Sequence, residues 1–296
     1  MKRDAFSQYH PLVNFIFFVF AIGLGVVIRH PAYLLAAGFA SGLYLIQLQG
    51  RKAVKTFLIL LPVFAGIALI NPIFNTQGQT VLFSLFGRPY TLEALYFGCA
   101  VGGIFLIMMF WFGCYNAVLT TDKFCALFGA VIPSLSLLLV MTLRLLPNLL
   151  RKLQQIAACR SSIGKGVNAR QTNRQKLAAG MEVLSALTTW ALEGSMITAD
   201  SMRCRGYGSG KRSSFRTYRF TLRDGLLLGI ALVLAAIVLW TAFAGGTQAE
   251  YTPALLFAPL RGRYLFGFIA YCVFLLIPTI LHGKEALLWR ICISKI

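Results

Sequence analysis

The sequence predicts an all-α, polytopic membrane protein. It has about five to six transmembrane helices, with two long amphipathic helices between the fourth and fifth spans. Three observations carry this. Hydrophobic residues fill 58% of the 296 positions and charged residues only 12%, about half the charged share of a water-soluble domain. That leaves too little polar surface to coat a soluble globule, and the mean hydropathy of +0.73 agrees. Apolar runs approaching the roughly 20 residues a spanning helix needs recur along the chain. The 28 lysines and arginines, against 9 acids, are gathered into a few stretches and are not spread evenly.

The elements follow in order. The first span covers Leu12 to Ile28, between His10–Pro11 and Arg29–His30–Pro31. It runs on toward further spans with no small-residue cleavage site, so it is a span and not a signal peptide. The second covers Ala32 to Leu48 and stops at Gln49–Gly50–Arg51–Lys52; the third covers Thr56 to Ile73 and ends in Asn71–Pro72. Residues 75 to 91 are rich in turn formers and suit a short hairpin through Thr80–Phe86 and Arg88–Thr91. The fourth span covers Leu92 to Val118, and Leu226 to Ala244 and Tyr264 to Leu281 complete six. Glu93 and Asn116 in the fourth suit interfacial anchoring or helix packing. Gly23, Gly25, Gly38, Gly42, Gly98, Gly102 and Gly103 suit close approach of helices.

Charge orients these spans. With the N-terminus cytoplasmic, only Arg29, Arg88, Arg261 and Arg263 of the 28 basic residues fall outside, as the positive-inside rule requires. The stretch from Lys123 to Arg223 holds sixteen basic residues, and five acids (Asp122, Glu182, Glu193, Asp200 and Asp224) accompany them. Crossing the membrane at Phe124–Val140 would invert this basic segment. Pro133 and two serines also interrupt that run, so it is read as an interfacial or partly buried helix. Beyond Ser136 the pattern turns amphipathic: Leu145, Leu149, Leu153 and Ile156 line one face, with Arg144, Arg151, Lys152, Gln154 and Gln155 away from it. A second amphipathic helix over Leu177 to Arg203 carries the stripe Val183, Leu187, Trp190, Gly194 and Ile197, and should stop near Gly206, Gly208 and Gly210. Ser161 to Lys176 between them is a polar linker. The division is thus 1–121 for spans one to four, 122–222 for the cytoplasmic module and 223–296 for the last spans.

Several chemistries lack their residues. The seven cysteines are scattered with no C-x-x-C pair, so they read as small buried hydrophobes with neither a disulfide framework nor a zinc site. His10, His30 and His282 stand apart at span ends, and no metal site, cofactor or catalytic residue is assigned. The nearest approach to a phosphate-binding loop, Gly206 to Arg212, would need glycine at Arg205 and Ser or Thr at Arg212. ATP is therefore handled by a partner, if at all. A self-sufficient secondary transporter or channel would need polar groups along the spans, a membrane enzyme would need acids or histidines clustered at a span end, and nucleic-acid binding would need stacking aromatics among the basic residues. The apolar spans imply lipid as a partner, and no nucleic acid is assigned.

Two short triplets remain, Cys159–Arg160–Ser161 and Cys204–Arg205–Gly206, each at the C-terminal end of an amphipathic helix. Small neighbours let a helix end enter a groove, where arginine offers a planar fork to carboxylates or carbonyls. A cation there also suits the helix dipole.

The wider sequence resembles a known family. Ala199–Asp200–Ser201–Met202–Arg203–Cys204–Arg205–Gly206–Tyr207–Gly208 is similar to the second coupling motif of the transmembrane T component of energy-coupling factor (ECF) transporters. Asn71–Pro72–Ile73–Phe74, Gly78 and Thr91–Leu92–Glu93–Ala94 resemble that family's third-span exit and following loop. Thr121–Asp122–Lys123–Phe124 and Met141 to Pro147 resemble its approach to the first coupling helix. The likeness runs in order over roughly residues 9 to 220. It departs in Cys159 and Cys204, where alanine is frequent, in Ser161, where glycine is common, and in Arg203, where an acid is frequent. The resemblance implies a non-catalytic subunit that holds two cytoplasmic ABC-type ATPase subunits through its arginine motifs and cradles a substrate-binding S component. Their joint action would import a vitamin or transition-metal ion chosen by the S component.

Overall fold

A computed structural model describes residues 5–75, 78, 80–85, 88–129, 133–165, 172–210, 218–251, 256–259 and 261–293. Among these residues the fold is all-α but for two small hairpins. The chain divides into a first unit, 1–124 with 218–296, and a second unit, 125–217.

In the first unit a short 3-10 turn, Phe6–Gln8, leads to α1 (Pro11–Val27), α2 (Pro31–Gln49), α3 (Arg51–Phe74) and α4 (Leu92–Val118). Proline opens both α1 and α2, where its missing N–H costs nothing and its fixed φ suits the first turn. The helix α5 (Thr121–Gly129) begins in this unit and continues into the second, and α8 (Leu222–Phe243) and α9 (Arg263–Ile293) return through the first. The hairpin β1 (Val81–Leu85) and β2 (Arg88–Thr91) joins α3 to α4 and pairs Phe83 with Tyr90 and Leu85 with Arg88. Ala249–Glu250 (β3) and Leu256–Phe257 (β4) pair between α8 and α9. Phe86, Lys2, Arg3 and Lys295 lie outside the described residues.

Five helices are long and apolar enough to cross a membrane: α2, α3, α4, α8 and the Arg263–Glu285 part of α9; α1 is apolar but only 17 residues long. The chain is a multi-pass membrane protein.

Its core gathers on α4. Trp111 is fully buried, with its ring 5.8 Å from Phe17, 6.0 Å from Phe18 and 6.4 Å from Tyr44. Phe17 meets Phe274 of α9 at 5.0 Å, and Tyr33 meets Tyr271 at 5.2 Å. These tilted and edge-on arrangements are the ones ring quadrupoles favour. Where α3 nears α4, small residues decide the spacing: a Cβ on Gly98 would lie 2.7 Å from the Ala68 carbonyl, and one on Gly102 would lie 3.2 Å from that of Phe64. Gly267 meets Thr241 equally closely where α8 packs on α9. Gly23, Gly42 and Gly103 do not share this role, since nothing lies within 4 Å of their Cβ positions.

Polar ties fix the ends of these helices. The His10 N–H donates to Asp224 Oδ1 at 2.9 Å, and Asp224 also caps α8 by accepting from the Thr221 N–H and hydroxyl. The buried Lys123 ammonium donates to the Val118 carbonyl and to the Ser7 hydroxyl, each at 3.0 Å, and to the Ser7 carbonyl. Glu93 is buried and accepts from the Thr80 hydroxyl at 2.7 Å, while Asn116 is exposed.

In the second unit α6 (Pro133–Ser162) and α7 (Asn173–Cys204) run antiparallel, since Lys152 meets Trp190 while Arg160 meets Glu182. Thr172 and Gln175 form a capping box at the start of α7. The helix therefore begins four residues earlier than the hydrophobic stripe indicates, and Arg174 and Lys176 are helical and not part of a linker. Cysteines depart from the expected burial: Cys99, Cys159 and Cys204 are exposed, whereas Cys114 and Cys125 are buried.

Candidate functional site

The two helices that carry the triplets end in the same way. In α6, Gly164 takes φ +75°, its N–H donates to the Ser161 carbonyl and the Lys165 N–H donates to that of Arg160. In α7, Gly206 takes φ +74°, its N–H donates to the Arg203 carbonyl and the Tyr207 N–H donates to that of Met202. Both are the paired closure that needs a left-handed residue, a conformation glycine adopts without steric penalty.

Counting back from each glycine separates the two arginines. Arg205 directly precedes Gly206 and is the last residue of its helix end. Arg160 stands four residues before Gly164, a full turn back, and so leaves from the helix wall and not from its tip.

That wall faces α7. The half-buried row on this part of α6 is Leu149, Lys152, Ile156 and Arg160, whereas Leu145 and Leu153 are exposed. The apolar stripe is thus displaced from the predicted one, and Lys152, predicted to point away, lies on it. Its ammonium sits 5.5 Å from the Trp190 ring centroid, a cation–π contact that uses the aliphatic stem as packing surface. On α7 the predicted stripe holds for Val183, Leu187, Trp190 and Gly194, which are half-buried, while Ile197 is exposed.

Arg160 extends this row. Its Nη2 donates to Glu182 Oε2, forming an ion pair in which the Arg160 side chain is 20% exposed and Glu182 60%. The hydrogen bond from Arg160, and then its charge, hold the Glu182 carboxyl below the usual carboxylate range. Arg205, by contrast, is exposed, and among the described residues no ion pair holds it.

The remaining predicted residues frame the arginines. Cys159, Ser161, Cys204 and Gly206 are all exposed, and the Ser161 hydroxyl turns back onto the Ala158 carbonyl at 2.7 Å. The triplets are not brought together. From Glu182, which touches Arg160, α7 runs 23 residues to Arg205, roughly 34 Å of helix. Two guanidinium groups are therefore presented at well-separated points of one helix pair.

Glu182 and Trp190 complete this arrangement, and spacing does not single them out as partners. Trp190 is visible in the sequence as a stripe residue and Glu182 as one of few acids in a basic segment. What pairs them with Arg160 and Lys152 is the register of two helices, which periodicity along one helix does not contain.

Much apolar surface on these helices is left uncovered. No residue of α7 is buried, and Leu184, Leu192, Met196 and Leu150 are each more than half exposed. In the first unit α3 is likewise open, with Leu58 72% and Ile59 68% exposed.

No family model matches the chain. It is 26% identical over 263 residues to the energy-coupling factor transporter transmembrane protein EcfT of Staphylococcus aureus, a match covering 81% of this chain and 97% of that protein. It is 29% identical over 114 residues to the protein of the same name from Bacillus selenitireducens, covering 38% of this chain and 42% of that one.

Proposed function

We propose that this homologue of the EcfT transmembrane proteins is the non-catalytic coupling subunit of an ECF-type importer. In this reading it lies in the cell membrane with its N-terminus and the α6–α7 pair in the cytoplasm. Arg160 and Arg205 each engage one of two ABC-type ATPase subunits, and Cys159, Ser161, Cys204 and Gly206 keep the surroundings of each arginine narrow. The S component rests against the apolar helices, selects a vitamin or transition-metal ion, and reorients when ATP turnover moves the coupling helices.

The observation that carries this reading is the roughly 34 Å of helix between two guanidinium groups. A single groove would not need two cations so far apart, whereas two neighbouring subunits would each take one. The uncovered apolar faces of α6 and α7 fit the same reading, because an interface core wants apolar area around a polar anchor. The open surface of α3 suits lipid and the S component. The orientation follows from the basic residues, which the cytoplasmic side tolerates.

The test is co-purification from membranes. Arg160→Ala or Arg205→Ala should each weaken retention of the ATPase subunits, and the double variant should abolish uptake while the protein remains in the membrane. Normal uptake by the double variant would overturn the assignment.

A further inference from the structure

The two arginines are unequal before any partner arrives. Arg205 stands at the very end of α7, exposed, with no ion pair among the described residues. Arg160 is four-fifths covered and already paired with Glu182. The pair is incomplete, however. Only Nη2 reaches the carboxylate, and Nε is buried without a hydrogen-bond partner among the described residues. Guanidinium binds carboxylate best through two parallel N–H···O bonds, so a better acceptor could take this group from Glu182. Glu182 is itself 60% exposed, so water can solvate it once released, and the exchange leaves no buried bare charge. Lys152 on Trp190, two turns away, is a second contact between α6 and α7 that does not involve the ion pair.

We propose that Glu182 clips Arg160 in the free subunit, and that an ATPase subunit must displace it to take this guanidinium, whereas Arg205 is ready for its partner from the start. The inference rests on the coupling reading above and adds an order: the Arg205 end docks first and the Arg160 end second, by exchange of carboxylates. The clip would also keep Arg160 from competing anions while the second ATPase site is empty.

Two measurements test this, one without a partner. The detergent-purified chain is treated with phenylglyoxal, and modification at each arginine is followed by peptide mass analysis. Arg160 should react several-fold more slowly than Arg205, Glu182→Gln should raise it to the Arg205 rate, and Glu182→Asp, which keeps the charge, should stay near the parent. Equal reactivity in the parent, or no response to Glu182→Gln, overturns the clip.

The second is the affinity for the ATPase subunits that co-purify with the chain. Glu182→Gln should tighten it by about two- to fivefold, the range expected for releasing one exposed ion pair. In an Arg160→Ala background the same change should do nothing. If Arg160→Ala weakens binding but Glu182→Gln weakens it too or leaves it unchanged, the clip is wrong and the coupling role stands. If Arg160→Ala has no effect on binding, the coupling role of this arginine fails, and the clip fails with it.

Discussion

The membrane unit and the α6–α7 pair use apolar residues to opposite ends. In the first, Trp111, Tyr44, Phe17 and Phe274 are fully buried against one another across four helices, and glycine lets the backbone of α4 approach backbone carbonyls of α3. In the second, no residue of α7 is buried, and one cation–π contact and one ion pair between side chains mark the seam with α6. A helix pair with so little internal packing gains little stability from its own contacts. The lesson is that the first unit buries an aromatic core within itself, while the second leaves Leu184, Leu192 and Met196 of α7 and the Arg205 guanidinium exposed and holds Arg160 against α7.

That contrast can be broken by substitution. The largest effect is expected from removing both Arg160 and Arg205. If each is desolvated in a partner groove, truncation costs about 2–5 kcal/mol of association apiece. ATPase retention on affinity beads should vanish while the thermal melt of the purified subunit is unchanged; a lowered melt would mean the arginines serve the fold and not an interface. Next is Trp111→Ala, which empties the centre of the membrane unit and should destabilise it by about 3–5 kcal/mol. Denaturant unfolding in detergent reports it, followed by the fluorescence of Trp240 and Trp289 with Trp190 of the second unit replaced by Phe in both proteins.

A smaller effect is expected at Gly206→Ala. The left-handed backbone there costs an L-residue about 1–2 kcal/mol, felt as unwinding of the last turn of α7. Hydrogen exchange at Arg205 and Tyr207 should rise and ATPase affinity should fall, with the membrane unit unaffected. The smallest sharpens the comparison most. Leu184→Ser on α7 should change the stability of the isolated subunit by less than about 0.5 kcal/mol, as exposed positions usually do. A drop comparable to that of Trp111→Ala would show that α7 is buried within the subunit after all.

Much of this architecture is legible in the amino-acid order alone. Span four matches α4 residue for residue, because 27 predominantly apolar positions between a turn and Leu119–Thr120 admit one helix. The end of α7 is readable from Gly206, Gly208 and Gly210, and the second arginine motif from its neighbours. The stripe on α7 follows from 3.6-residue periodicity, which is a property of a single helix.

The displaced row on α6 shows where that reasoning stops. Hydrophobicity places Lys152 with the solvent and Leu153 with the core; packing reverses them, since a lysine stem lying on Trp190 covers more of α7 than a leucine facing away. Composition and order alone determined that this chain lives in a membrane, that its basic residues gather in one long segment, and that two arginines stand near the C-terminal ends of two amphipathic helices. Which arginine is held and which is open was decided only when α6 and α7 came together, because an ion pair between residues 22 positions apart depends on helix register, and register is set by contacts between helices.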